Sequence, residues 1–274
     1  MPAIQLARLK IQSVRLAENF ASPQAFVREL HSLLDFYADR THRPGQSGDP
    51  PPILPAYNVP PQVIRQVERE LAPIANQDGQ AALAMSDRLW MEDCLECRLL
   101  AIALLGLLPP SLATPILNRV SAWAGSNTEA RLNKALFSSG LKRLRQEDPE
   151  RYLAQVSEWV NSEQVFTQLL GLQAIVQLVA SQEFSNVPIV FRLITPLVRS
   201  APTRLRPDLL DILRHLAQRS PRETVFFLRQ NLVIKTDNPG TAWLARQCLS
   251  ALPPESQASL RSALRENRGF SQSQ

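Results

Sequence analysis

The sequence predicts an all-α protein, a HEAT-like α-solenoid of stacked antiparallel helix pairs with a superhelical, concave face. Three observations carry this expectation. Leu dominates the apolar residues, and with Ala, Arg and Gln it fills the chain with good helix formers. Strand-like alternation of β-branched and aromatic residues is nearly absent. Helical stretches also recur as pairs at the spacing of two-helix repeats such as the HEAT and armadillo types.

In chain order, helices are expected at 3–19, 22–40, 60–73, 77–90, 93–108, 110–124, 127–146, 149–160, 163–181, 186–199, 205–219, 221–235, 239–251 and 254–267. Ser22-Pro23, Asp148-Pro149, Ser220-Pro221 and Pro253-Pro254 each put a capping residue or a proline at a first turn, where the missing N–H costs nothing. Ser220-Pro221-Arg222-Glu223 adds the capping-box spacing. First members of pairs begin near 93, 127, 163, 203 and 239. One such pair cannot bury its apolar stripe alone, so neighbours must stack.

Thr41 to Pro61 breaks the rhythm with seven prolines and two glycines, which excludes regular helix. The expected organisation is a helical hairpin at 1–40, a mobile Pro-rich linker at 41–59, a repeat domain at 60–268 and a disordered tail at 269–274. A Pro-rich peptide ligand is the alternative reading of the linker, but no clean recognition motif supports it.

With 45% hydrophobic and 20% charged residues, the composition is that of a globular protein. The apolar run Leu99–Leu108 ends at Pro109-Pro110, short of the roughly 20 residues a membrane span needs, and reads as a core helix. No basic cluster followed by an apolar run marks a signal peptide. Three cysteines do not make a secreted disulfide framework, and a cytoplasmic location is expected. The net charge is +5, concentrated in the stretch from Arg199 to Arg268, where 12 basic residues face 6 acidic ones. Such a segment suits phosphate or an acidic protein, and it equally suits solvated helix faces.

Cys94-Leu95-Glu96-Cys97 has C-x-x-C spacing. A structural zinc site normally adds a second Cys/His pair, and His31, His42 and His215 stand isolated in the sequence. Redox chemistry of the thioredoxin kind needs a strand-to-helix context that is missing. The two thiols therefore read as small core hydrophobes at a helix start, and no metal is expected. There is no G-x-S-x-G elbow, no H-E-x-x-H, and no glycine-rich phosphate loop, so neither a hydrolase site nor a nucleotide cofactor is indicated. Trp90, Trp123, Trp159 and Trp243 are spread over different helices, a pattern of inter-helix packing; in a basic groove they could instead stack on bases.

Several stretches resemble the HEAT-like DNA alkylation repair family, the AlkD-type DNA glycosylases. Leu89-Trp90, Glu96 and Arg98-Leu99-Leu100-Ala101 resemble one family helix. Asp148-Pro149-Glu150-Arg151-Tyr152-Leu153 with Glu158-Trp159 and Ser162 resembles a helix pair, and Ile212-Leu213-Arg214 through Ser220-Pro221 to Phe227-Leu228 another. The resemblance spans roughly 60–267. It implies a basic groove around duplex DNA, with aromatics, an Asp and an Arg around the damaged nucleotide. The Asp would stabilise a cationic sugar as the base departs, and the Arg would hold a phosphate. The chain departs from that pattern. Near Ser126-Asn127-Thr128 there is Asn127 and no carboxylate closer than Glu129. The entry to a later helix reads Phe166-Thr167-Gln168-Leu169, with an aromatic but without arginines.

Two function classes follow. The first is a non-catalytic scaffold that binds duplex DNA or an acidic protein partner. The second is a DNA glycosylase for alkylated bases in which Glu129 or another carboxylate has taken over the acid's role. The substitutions favour binding over chemistry, with no cofactor, metal or membrane involved. Arg131, Lys134, Lys142, Arg143 and Arg145 on one expected helix, and Arg199, Arg204 and Arg206 at a repeat junction, are the candidate nucleic-acid contacts. Trp123 and Phe166 are the candidate groove aromatics.

Overall fold

The computed structural model describes residues 5–41, 52–126, 129–182, 184–234 and 239–271, which divide into two compact units, 1–149 and 150–274. Among the described residues every regular element is helical. The first unit holds α1 (Leu6–Glu18), α2 (Pro23–Tyr37), α3 (Pro61–Gln77), α4 (Gly79–Trp90), α5 (Leu95–Leu107), α6 (Ala113–Ser126), α7 (Ala130–Ala135) and α8 (Lys142–Glu147). The second is built from α9 (Pro149–Val160), α10 (Val165–Ala180), α11 (Val187–Ser200), α12 (Arg206–Arg219), α13 (Pro221–Ile234), α14 (Pro239–Cys248) and α15 (Pro254–Ser271). The five expected pair starts correspond to Leu95, Ala130, Val165, Arg206 and Pro239.

In the first unit α1, α3, α5 and α7 lie side by side in one layer, backed by α2, α4 and α6. In the second, α10, α12 and α14 form one layer and α11, α13 and α15 the other. The sequence pattern sets these roles. α3 buries Val63, Val67, Leu71 and Ala75, one residue per turn, and keeps its opposite face for solvent. α5 is covered by α3, α4 and α7 and buries Cys97, Leu100, Ala101, Ile102, Leu104 and Leu105 on several faces, which explains its unbroken apolar run. The chain turns by 113° between α5 and the helix that follows at Pro109-Pro110. No single helix among the described residues is long and apolar enough to cross a membrane.

The hairpin expected at 1–40 packs through α1 directly on α3 within the first unit. Two expectations need correction. The expected tail starts too early: α15 stays helical through Ser271, and 272–274 lie outside the described residues. The single helix expected at 127–146 is three pieces. Between α7 and α8 the backbone widens into a π turn at Leu136–Gly140. The carbonyls of Phe137 and Ser138 there accept hydrogen bonds from Arg145 Nη1 and Nη2 at 3.1 and 3.3 Å.

The π turn faces Gly106 in the last turn of α5. A Cβ on Gly106 would lie 2.0 Å from the Ser139 carbonyl oxygen, a backbone atom that cannot swing aside. Alanine gains about 1 kcal/mol in helix propensity over glycine, but overpacking a tight contact costs about 1–3 kcal/mol or more. Sterics win, so Gly106→Ala should lower the urea midpoint by a net loss of about 2 kcal/mol. An unchanged or raised midpoint would contradict this contact.

Candidate functional site

The Pro-rich segment is not a free linker where it is described. Residues 52–60 run extended across the first unit, and prolines deprive them of internal hydrogen bonds, so the remaining N–H groups need outside acceptors. Two buried carboxylates supply them. Glu96, 5% exposed in the first turn of α5, accepts from Tyr57 N–H at 3.1 Å and Asn58 N–H at 2.7 Å. Glu129, 6% exposed, accepts from Ile53 N–H at 2.8 Å and caps α7 through Arg131 N–H at 3.4 Å. The start of α5 returns a bond from Leu95 N–H to Pro55 O at 2.9 Å, and Asp39 N–H donates to Tyr57 O at 3.2 Å. Asn58 turns the chain with a φ of 53°, a left-handed conformation that Asn tolerates. Residues 42–51 of the expected linker lie outside the described residues.

Beside this strap, α3, α5 and the α7 turn enclose an open cavity of about 440 Å³. Asn58, Arg65, Glu68, Glu96, Arg131 and Ser139 bring its polar groups, and Ile64, Leu99 and Ala103 its apolar wall. Burial raises the Glu68 carboxyl above the usual range, against the opposing pull of Arg65 and Lys142.

The sequence candidates scatter across this geometry. Arg131 reaches the cavity, while Lys134 and Lys142 are exposed on α7 and α8. Arg143 bonds to the α5 terminus through Leu107 O at 2.6 Å, to Glu147 at 2.8 Å and to Asn76. With Arg145 committed to the π turn, these two arginines hold the fold rather than face a ligand. Trp123 departs from the groove expectation: it is 7% exposed and lies face to face on Trp90, with centroids 4.3 Å apart and planes within 4°. In the second unit Arg199 donates to the buried Asn231 at 2.9 Å, and Arg206 to Ala201 O at 3.0 Å, with its guanidinium 5.7 Å from the Trp243 ring centre. Arg204 is exposed, and Phe166 is 44% exposed on the first turn of α10. Asn127 lies outside the described residues.

One cluster went unread in the sequence. His31 on α2 comes within reach of Cys94 and Cys97 at the start of α5, so the histidine is not isolated from the C-x-x-C pair. Nothing in the spacing signals this, because the partners are more than sixty residues apart. A hydrogen bond from Cys97 lowers the Cys94 thiol, while that same bond and burial push Cys97 up. Cys248 is buried alone in the second unit, and desolvation pushes it up to about 11.

Two outcomes follow from the carboxylates. Hydrogen bonds to a charged acceptor contribute about 1.5–3 kcal/mol each, so Glu96→Ala, which removes two, should destabilise the protein by about 3 kcal/mol. It should also speed amide exchange at Tyr57 and Asn58; protection unchanged at both would refute the tether. Glu68 is disfavoured in its ionised form, so its contribution is best at low pH and falls as pH rises through the carboxylate range. Glu68→Gln should therefore raise Tm at pH 7, with the gain shrinking towards pH 4. A gain that grows on acidification would reverse the assigned sign.

A family model described as DNA alkylation repair enzyme matches residues 52–247. No curated protein matches the sequence. The crystal structure of smu.31 from Streptococcus mutans UA159 is similar with a TM-score of 0.54 and 16% identity, covering 70% of this chain and 98% of that one. At that identity the likeness concerns the fold, and it agrees with the all-helical architecture. The family match begins at the strap, and takes in the cavity and most of the second unit. The chain thus belongs to the DNA alkylation repair enzyme family.

Proposed function

We propose that this protein works in DNA repair as a duplex-binding member of its family that does not itself release bases. The observation that carries this reading is Glu129. It is the carboxylate nearest the position of the family's acid, and it is buried and hydrogen-bonded to Ile53 N–H and the α7 cap. A carboxylate engaged in this way is poorly disposed to stabilise a cationic sugar on a bound nucleotide. Cationic side chains remain for a phosphate backbone: Arg65 and Arg131 at the cavity, and exposed Lys134 and Lys142 on neighbouring turns. Such contacts give affinity and orientation without requiring chemistry.

Base excision is the second reading, favoured by the cavity itself, where Arg131 and Glu68 stand near an apolar wall. Its weakness is electrostatic. Burial favours the neutral form of Glu68, and a neutral carboxyl offers a developing cation little.

The two separate in one set of assays on labelled duplex, plain or carrying an abasic-site analogue or an alkylated base. Binding should weaken linearly with log salt, with no base released, and Arg131→Ala should reduce the slope by about 1. Base release abolished by Glu68→Gln would replace the binding reading with the catalytic one. Absence of binding even at low salt would sink both and point to an acidic protein partner.

A further inference from the structure

The side chains gathered where α2, the strap and α5 meet have no part in the reading above. Cys94 and Cys97 are 3% and 0% exposed, and His31 offers them its Nε2, which lies 3.9 Å from Cys97 Sγ. The three ligand atoms all lie within 4.8 Å of one another. Glu92 Oε2 stands 3.1 Å from the same imidazole nitrogen. Two sulfurs and a nitrogen thus converge from α2 and the start of α5, with the Glu92 carboxylate beside the imidazole but outside that three-atom cluster.

We propose that His31, Cys94 and Cys97 form a site for a soft divalent cation of the zinc class, with Glu92 swinging in from His31 as the fourth, tetrahedral ligand. Zinc bonds of about 2.3 Å to sulfur and about 2.0–2.2 Å to nitrogen and oxygen place neighbouring ligands about 3.3–3.8 Å apart. The His31–Cys97 separation is close to that range, while the cluster as a whole extends to within 4.8 Å, so metal entry draws its side chains together by up to about 1 Å and brings Glu92 in. The ion would replace the present His31–Glu92 hydrogen bond. Both thiols lose their protons to solvent on binding, His31 coordinates as the neutral imidazole, and Glu92 as the carboxylate.

The surroundings fit the task. Tyr57 Oη lies 2.9 Å from His31 Nδ1, where it can accept that ring N–H and leave the Nε2 lone pair for a metal. Arg88 Nη1 holds the other Glu92 oxygen at 2.5 Å and offsets the negative charge of two thiolates and a carboxylate around a divalent ion. Cys94 stands at the N-cap of α5, where the helix end favours a thiolate. The His31 and Glu92 side chains, 31% and 19% exposed, leave a path from solvent to the buried sulfurs. Bound metal would cross-link α2 to the start of α5 and, through Tyr57, clamp the strap.

Cobalt substitution tests this on the full, reduced chain without any variant. One equivalent of Co(II) should give thiolate-to-metal charge transfer and the intense visible bands of a tetrahedral ion, both displaced by one equivalent of Zn(II). Zinc should also raise Tm and shield two thiols from alkylation. Cys97→Ser should abolish the charge-transfer band, Glu92→Gln should keep it while altering the visible bands, and Cys248→Ser should change neither. Absence of the bands in the reduced wild-type chain, their survival in Cys97→Ser, or their loss in Cys248→Ser would overturn the proposal. Because no readout depends on DNA, its failure is distinct from failure of the binding function.

Discussion

Glu96 is the side chain on which the strap and the cavity of the first unit depend. A carboxylate buried to this degree is tolerable only when its charge is met, and Glu96 meets it with two backbone N–H groups of the strap while sitting on the positive end of α5. That pairing fixes Tyr57 and Asn58. Tyr57 then fixes the imidazole of His31, and Asn58 forms one rim of the cavity. Removing one charge would therefore loosen the strap, the histidine and the cavity wall together.

The fold was legible because its signals are local. Caps such as Asp148-Pro149 and the one-per-turn burial of Val63, Val67, Leu71 and Ala75 need no partner to be read. What stayed hidden is set by contacts distant in sequence. The composition of 52–60 excludes helix, but it carries no sign that Glu96 and Glu129 lie 38 and 76 residues ahead to receive its amides. The π turn at Leu136–Gly140 is invisible for another reason, since the apolar spacing of Leu132, Leu136 and Leu144 reads as one continuous helix. That extra residue in the turn rotates the following arginines, and Arg143 and Arg145 end against backbone carbonyls instead of in line with Arg131 and Lys134. His31 could not be assigned to Cys94 and Cys97 until α2 and α5 were seen together.

The acids of the first unit show how one residue type takes different roles by environment. Glu96 and Glu129 are buried with their oxygens bonded to backbone amides, Glu92 is shared between Arg88 and His31, and Glu68 is desolvated against the pull of Arg65 and Lys142. Glu68, in contrast, faces the open space of the cavity. The roles of these carboxylates are thus set less by residue type than by where their lone pairs are spent.

The tryptophan pair of the first unit has an optical consequence. Two indoles stacked nearly parallel at 4.3 Å, with Arg98 near one face, couple their transitions and give circular dichroism and emission unlike those of a lone indole. Trp159 and Trp243 belong to the second unit and are not part of that stack. Each unit therefore carries its own intrinsic chromophore, so unfolding of one can be distinguished from unfolding of the other without any added label.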